Sequence, residues 1–372
     1  MKMHVVGLLV ALSLSVTVRA QSSLIVHEWG TITTRHASDG APQGRLNRIE
    51  QSEVLPDFVH RFEPPQSGVP LSKGTSTPGH PDITMRLETP VIYFYGAGSG
   101  SSKSFTVHVD LRGGILNEFY PNAVATVSVD NARIDQKLRA GALDPKQPIV
   151  LDNFLRGGLD WADVTFDAAA KPPQSESAIW NAPGNVRAAM LAVGGEGERY
   201  LFYRGVAHLD ALLRTRHSKQ SVQLSAPSHL PWLREASITL PQVWLVAVRE
   251  DGTTAFTSLQ KLKIAKNRQN NTPENTEPAP IVELPLFKND HYSSQQAQAL
   301  RQSMHGGLVA AGLYDDEAAA MLATWDASYF KTPGLRIFYV VPREWIDYYL
   351  PLKISVPHRL TRVLIGRIDL LQ

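Results

Sequence analysis

The chain has 372 residues, with 37 Lys and Arg against 35 Asp and Glu, and it contains no cysteine. The absence of cysteine excludes disulfides, thiolate nucleophiles and every Cys-ligated metal or haem site. The nearly balanced charge gives no concentrated basic surface, so we expect no nucleic-acid partner. The length is sufficient for a substantial hydrophobic core.

Residues 1–20 predict a signal peptide. Lys2 supplies a positive start, the apolar run Val5–Val16 follows, and Val18-Arg19-Ala20 ends the stretch with a small residue. We therefore expect cleavage after Ala20 and a periplasmic or secreted protein. No later stretch is apolar over the roughly 18 residues that a bilayer requires, so we expect a soluble mature chain without a transmembrane segment.

The chain after this leader opens with strand patterns. Ser23–Arg35 is rich in β-branched residues, and Phe105–Arg112 alternates strictly between apolar and polar residues, as a half-exposed antiparallel strand does. The apolar run Val91–Tyr95 is connected to Phe105–Arg112 by a Gly/Ser-rich stretch, which predicts a hairpin.

A second hairpin is predicted around the dipeptide Asp251-Gly252, which favours a tight type I′ turn. Its strands are Pro241–Glu250 and Thr253–Leu262. The polar, Pro-containing stretch Lys266–Pro280 has no periodicity, and it is interpreted as a loop or linker.

The pattern beyond residue 280 is helical. Ser293 and Gln296 resemble a capping box ahead of a helix over Gln295–Ala311. The acids Asp315, Asp316 and Glu317 suit the start of a second helix, because they complement its dipole. The apolar residues of this second helix recur at helical spacing and predict a core stripe; they are Ala318, Met321, Leu322, Trp325 and Tyr329.

Two apolar strands close the chain, Leu335–Val341 and Leu360–Leu371. The fold class is therefore predicted to be α+β, a β-rich antiparallel and sandwich-like body with a C-terminal helical hairpin and strands. We expect the body over residues 21–265, a polar loop or linker over 266–280, and an α/β segment over 281–372 packed on the body.

Three carboxylates, those of Glu28, Glu88 and Glu118, lie in strand patterns next to aromatic residues. A carboxylate on an apolar face must be paired or its pKa rises, and raised carboxylates in a cleft perform general acid–base hydrolysis. Two of them across a sugar bond would define glycoside hydrolysis. The alternative is a structural network, in which Glu88 pairs with Arg86 and Glu28 with an arginine such as Arg336 or Arg367.

The same segments contain candidate substrate-binding residues, namely Tyr93, Tyr120, Arg86 and Arg204. The strand aromatics could form a stacking platform for sugar rings, although strand aromatics also serve as core packing. This set comprises Tyr93, Tyr95, Phe119, Tyr120, Trp161 and Trp180.

The metal candidate is His27, with Glu28 beside it. Imidazole and carboxylate can bind a divalent ion without cysteine. No pair of residues has ligand spacing on one element, so a divalent cofactor is allowed but no ligand motif supports it.

Several blocks resemble a family of exported bacterial proteins. The blocks are VHEWGT at Val26–Thr31, ETPVIYFY at Glu88–Tyr95, EFYP at Glu118–Pro121, YRG at Tyr203–Gly205, AGLYDDEAAAMLATW at Ala311–Trp325 and RVLIGR at Arg362–Arg367. They extend over nearly the whole chain after the leader, and the resemblance implies one integrated architecture. Tryptophan is more usual in the family where this chain has Phe119, which keeps the aromatic ring but loses an N–H donor. The resemblance supplies no catalytic residue.

Two functions follow as hypotheses. The first is hydrolysis or binding of an extracellular polymer, saccharide before peptide, in a cleft lined by the three glutamates. The second is a non-catalytic periplasmic or cell-envelope protein that binds another protein or a cell-wall polymer. In an enzyme the glutamates should converge on one pocket, whereas in a binding protein they should separate into individual ion pairs.

Overall fold

A computed structural model describes residues 24–44, 46, 55–62, 83–96, 104–129, 155–227, 230–266 and 281–371. The predicted leader and nearly all of the predicted linker lie outside the described residues.

The described strands form three sheets. In chain order they are β1 (Leu24–His36), β2 (His60–Arg61), β3 (Met85–Tyr95), β4 (Phe105–Arg112), β5 (Gly114–Tyr120), β6 (Val124–Val129), β7 (Leu155–Phe166), β8 (Leu191–Val193), β9 (Glu196–Glu198), β10 (Tyr200–Ala207), β11 (Arg214–His217), β12 (Ser221–Ser225), β13 (Ser237–Val248), β14 (Thr254–Ala265), β15 (Val282–Pro285), β16 (Gly334–Val340), β17 (Leu352–Ile354) and β18 (His358–Leu370).

The largest sheet has nine strands in the order β14-β13-β16-β18-β1-β3-β10-β5-β2. A second sheet has the order β17-β4-β7-β8-β9 with β6 also paired to β7, and a third is β11-β12-β15. All described strand pairs are antiparallel except β1 with β18. The first and last strands are thus parallel neighbours in the middle of the large sheet.

The α-helices of the described chain are α1 (Ala178–Gly184), α2 (Ser294–Ala310), α3 (Asp315–Thr324) and α4 (Arg343–Tyr349). A 3₁₀ turn lies at Asn289–His291, and a π-helical turn follows α3 at Ala327–Lys331. None of the helices in this part of the chain is both long and apolar enough to cross a bilayer.

The nine-stranded sheet is the middle layer of the molecule. One face shares a hydrophobic core with the two smaller sheets, through residues such as Val26 of β1, Val107 of β4 and Leu224 of β12. The other face is covered by helices, where Trp29 of β1 and Leu300 of α2 belong to a second core. The fold class is therefore α+β with a sandwich-like β body, as predicted.

The local predictions are mostly confirmed. Ser293 caps α2 by accepting a hydrogen bond from the Gln296 backbone N–H, and the predicted stripe on and after α3 is buried. β13 and β14 form the predicted hairpin around Asp251-Gly252, but its turn is not the predicted type I′, because only Gly252 of the two residues has a positive φ, +78°.

The first predicted hairpin is wrong. Both strands exist, but β3 lies in the nine-stranded sheet and β4 in the second sheet. Phe94 and Phe105 contact each other across the core, with ring centroids 5.2 Å apart. The two strands therefore face each other between layers, because their apolar faces bury more surface there than as neighbours in one sheet.

Candidate functional site

Glu28 lies on the face of β1 that packs against the two smaller sheets, and it is completely buried. One carboxylate oxygen accepts a hydrogen bond from the Tyr203 hydroxyl at 2.5 Å, and the other lies 2.5 Å from Arg362 Nε. Burial would lower the pKa of Arg362, but the adjacent Glu28 carboxylate raises it above its ordinary value. Arg362 also reaches the half-exposed Asp347 at 3.1 Å. The set forms a buried ion-pair network that ends at the surface.

Glu88 and Glu118 are also buried beside arginines. The Glu88 carboxylate lies 2.8 Å from an Arg86 guanidinium nitrogen. The Glu118 carboxylate lies 3.6 Å from Arg61 and 3.9 Å from Arg204. Arg86 and Arg204, proposed from the sequence to bind substrate, are 2% exposed and serve as partners of these carboxylates.

The three glutamates do not share one cleft. Glu28 faces the sheet-to-sheet core with Tyr203, whereas Glu88 pairs across strands with Thr31, which is hydrogen-bonded to Tyr329 on the helical side. A β-sheet therefore separates Glu28 from Glu88. Glu28 therefore cannot act together with Glu88 in one cleft, and each of the three carboxylates lies beside at least one arginine.

The aromatic residues that could form a stacking platform lie on opposite faces of the large sheet. Phe119 and Trp161 belong to the sheet-to-sheet core, whereas Tyr93, Tyr120 and Trp180 belong to the helical side. Strand alternation explains the division, because consecutive residues such as Phe119 and Tyr120 point to opposite faces.

A different constellation forms around His27, on the helical side of β1. His27 Nδ1 lies 2.8 Å from Oε2 of Glu317, the third residue of α3. Glu317 is completely buried, and it also accepts hydrogen bonds from the Tyr95 hydroxyl at 2.8 Å and the Tyr314 backbone N–H at 2.7 Å. We call these four residues, His27, Tyr95, Tyr314 and Glu317, the His27 site.

Besides His27, the Tyr95 hydroxyl and the Tyr314 backbone N–H point at the Glu317 carboxyl group. A carboxylate can only accept, so with Glu317 in that form the proton of the His27 contact is on Nδ1. In that tautomer Nε2 is an acceptor, and none of the described residues hydrogen-bonds to it. This is how a carboxylate orients a histidine that acts as a base.

Aromatic rings surround this imidazole. The Tyr314 ring lies 4.5 Å from the His27 ring and is 41% exposed, while the Tyr95 ring meets His27 edge-on at 5.4 Å. Burial, followed by the charge of Glu317, raises the pKa of Tyr95. Tyr95 therefore keeps its proton and remains a hydrogen-bond donor to Glu317.

Among the described residues, His27 is not part of a cluster of possible metal ligands. The described residues contain no group of three or more His, Asp or Glu side chains that could bind a metal ion. Glu28, its suggested partner, points to the opposite face of β1, because adjacent residues of a strand alternate. The metal candidate stays a prediction.

A second carboxylate lies farther along the helical side. Glu198 of β9 is 1% exposed, and burial raises its pKa to about 7. Burial first, then Tyr95, Glu317 and Glu198, raise the pKa of Tyr93, so Tyr93 lies within the influence of both carboxylates. The Tyr93 hydroxyl donates to the Pro183 carbonyl at 3.1 Å. Tyr93 therefore supports α1 rather than facing a ligand.

The rings around Glu198 pack closely. Tyr120 lies 5.4 Å from Trp180, and Phe58 lies 5.2 Å from Tyr120 and 5.0 Å from Trp180. These centroid distances are those of aromatic rings in direct contact, which leave no room for a sugar ring between them. Tyr120 is thus a packing residue beside a buried carboxylate.

Sequence reasoning missed the partner of His27. Glu317 was interpreted as one of three acids that complement the dipole of α3. It also occupies the third helical position, where a glutamate reaches back to the backbone N–H before the helix, and the Tyr314 contact does this. That capping pattern was the available signal, but only the tertiary fold brings α3 onto β1.

The comparisons with known proteins give no family. No protein-family model matches the chain, and no curated protein matches it. Among solved structures, the chain is similar to the Fcho1 Mu homology domain from Danio rerio with bound Eps15 peptide, at 8% sequence identity and a TM-score of 0.28. That match covers 95% of this chain and 97% of the other. A similarity at this TM-score carries no argument about fold or function.

Proposed function

We propose that this is an exported protein that hydrolyses an extracellular polymer, saccharide before peptide, with His27 as the general base. The observation that carries the proposal is the His27–Glu317 hydrogen bond of 2.8 Å, which leaves Nε2 free. The carboxylates first considered for this task are engaged by arginines, and this supports the transfer of the catalytic role to His27.

In the proposed reaction His27 Nε2 takes a proton from water as the oxygen attacks the scissile centre. The imidazolium then returns the proton to the leaving group, so protons balance over the cycle. Glu317 holds the imidazole in its tautomer and stabilises its charge, while the exposed Tyr314 ring offers a stacking surface for the polymer. General base catalysis of this kind contributes about 10²- to 10⁴-fold.

The second candidate is a non-catalytic envelope protein that binds the polymer or another protein at the same surface. It is favoured by the arginines beside Glu28, Glu88 and Glu118, because a carboxylate engaged in an ion pair is not a free general base. Both candidates require export, and both use Tyr314 as a contact.

The decisive experiment compares wild type with His27→Gln on dye-labelled cell-wall glycan and labelled casein. If His27 is the base, wild type releases soluble fragments and His27→Gln is slower by about 100-fold or more, while circular dichroism shows that the variant is still folded at the assay temperature. His305→Gln is the matched control, because His305 is a surface histidine on α2.

Co-sedimentation with the polymer without release of fragments would favour the binding protein, and Tyr314→Ala should then weaken retention. A wild-type protein that neither cleaves nor retains any polymer contradicts both candidates. Export is checked separately by mass spectrometry of envelope-fraction protein, which should begin at Gln21.

A further inference from the structure

A cavity of about 540 Å³ lies beyond the C-terminal end of β1, where it is enclosed by the following turn and by β11 and β12. The cavity is lined by His36, the last residue of β1. His36 is nine residues from His27, which corresponds to about 30 Å along an extended strand. The cavity is therefore distinct from the His27 site. Its volume falls in the range of roughly 300–1,000 Å³ that is usual for small-molecule sites.

One wall is the polar face of β11 and β12. Arg214 pairs across strands with Ser225, and Arg216 with Gln223, so all four side chains project to the same side, and all four line the cavity. This wall offers two guanidinium groups, a hydroxyl and an amide.

The opposite wall is the turn after β1. A Cβ on Gly40, which has a φ of +88°, would lie 2.2 Å from the Thr215 carbonyl oxygen. Only glycine permits this close approach, so the turn is held firmly against β11. Arg216 Nε donates to the Asp39 carbonyl at 3.2 Å and also ties the turn to the strand. The cavity is therefore preformed.

The formal charges of the cavity cancel. Arg214 and Arg216 carry two positive charges, and Asp39 and Asp210 carry two negative charges. His36 adds none at neutral pH, because burial lowers its pKa to about 4 while Nδ1 lies 2.7 Å from the Thr215 hydroxyl.

Two of these charges are available to a ligand. Arg214 and Asp210 are both exposed and line the same cavity, yet neither side chain forms an ion pair or a hydrogen bond with another described residue. A ligand with only a negative charge would be repelled by the aspartates, and a ligand with only a positive charge would be repelled by the arginines. A ligand with both charges at its two ends matches the cavity better than either.

We propose that this cavity binds a short zwitterionic peptide with free termini. Its carboxylate lies on Arg214 and its ammonium group on Asp210, with the Ser225 hydroxyl, cross-strand from Arg214, beside the carboxylate. Exposed apolar residues of the lining, Pro42 and Ile281 among them, accommodate a side chain.

The test is calorimetric titration of the full chain with a pool of dipeptides that have apolar, polar and charged side chains. The dipeptide that binds is then compared with its N-acetylated and its C-amidated forms. Since each cap removes a charge-assisted hydrogen bond, each should weaken binding by about tenfold or more.

The variants assign each terminus to its partner. In Arg214→Gln, amidation of the C-terminus should no longer matter, while N-acetylation still weakens binding. In Asp210→Asn, N-acetylation should no longer matter, while amidation of the C-terminus still weakens binding. The exposed residues Arg234 and Asp57 provide matched controls, and Arg234→Gln and Asp57→Asn should bind as wild type does.

Failure of every dipeptide in the pool to bind at millimolar concentration overturns the proposal. The proposal is also overturned if N-acetylation and C-amidation weaken binding to the wild type and to both variants by the same factor. The termini would then not contact Arg214 and Asp210.

Discussion

At the residue scale, Glu198 is a buried carboxylate whose ionisation lowers the stability of the folded protein. Its pKa is raised from 4.5 to about 7, so the folded protein disfavours its ionised form. The resulting loss of stability is largest above pH 7, and it fades as the pH falls towards 4.5.

We therefore predict that Glu198→Gln stabilises the protein at pH 8 by up to about 3 kcal/mol and at pH 5 by less than about 1 kcal/mol. Urea unfolding at the two pH values measures the difference. Glu250→Gln, an exposed substitution, should change neither value. An equal gain at both pH values would show that ionisation of Glu198 is not the cause.

The second residue-scale prediction concerns Glu28. Glu28→Gln leaves the fully buried Arg362 without its counter-charge, so it should cost about 3 to 5 kcal/mol in unfolding free energy. The double variant Glu28→Leu, Arg362→Met should recover most of this loss, because no buried charge remains. Asp347→Asn, at the half-exposed end of the network, should cost about 1 kcal/mol or less. A Glu28→Gln protein of wild-type stability that has lost turnover would instead return the catalytic role to Glu28.

The residues of the site show why sequence reasoning was incomplete at this scale. Alternation along β1 correctly indicated that Glu28 lies on an apolar face, and pairing with an arginine was one of the two interpretations. Arg362 was not among the named partners, because it lies 334 residues away in a strand whose register no local pattern reveals. His27 was considered only together with Glu28, although the strand directs these neighbours to opposite faces.

At the scale of single elements, α2 illustrates how a helix is seated on the sheet. Its two adjacent glycines, Gly306 and Gly307, face different surroundings. A Cβ on Gly306 would meet nothing within 4 Å, whereas a Cβ on Gly307 would lie 2.7 Å from the buried Trp244 ring. Of these two glycines, only Gly307 lies in close contact with β13.

We predict opposite effects of the same substitution at these neighbouring positions. Gly306→Ala should stabilise the protein by about 0.5–1 kcal/mol, because alanine is the better helix former and has room. Gly307→Ala should destabilise it by about 1–3 kcal/mol, since the helix must move away from Trp244. Thermal or urea unfolding measures both, and a gain at Gly307 would contradict the packing described here.

Elements with a strong local signal were predictable from the sequence. The Ser293 cap, the acids that start α3 and the Asp251-Gly252 turn all act within a few residues. The pairing of β3 with β4 was mispredicted because a connecting loop does not determine whether two apolar strands share a sheet or face each other across a core. That choice depends on burial summed over the whole molecule.

At the scale of the whole molecule, the parallel pairing of β1 with β18 unites the two ends of the described chain. All 13 residues of β1 pair with β18, and β16 then connects β18 to β13. Neither C-terminal strand is an edge strand of the large sheet. If a segment that contains α2, α3, β16 and β18 were separated from the rest of the chain, its own core and the core of the preceding strands would therefore both be open to water.

This topology predicts that cleavage of the backbone between residues 267 and 280 does not divide the protein. A specific protease site inserted there should yield two pieces on a denaturing gel, and the pieces should co-elute as one particle in native size exclusion. Separation should require a denaturant concentration near that which unfolds the uncut chain, because the strands that must part lie inside one sheet. The segment 281–372 expressed alone should fail to give a cooperative transition, since β18 would lack β1. A stably folded fragment from this region, released by cleavage under native conditions, would contradict the integration of the C-terminal strands into the body.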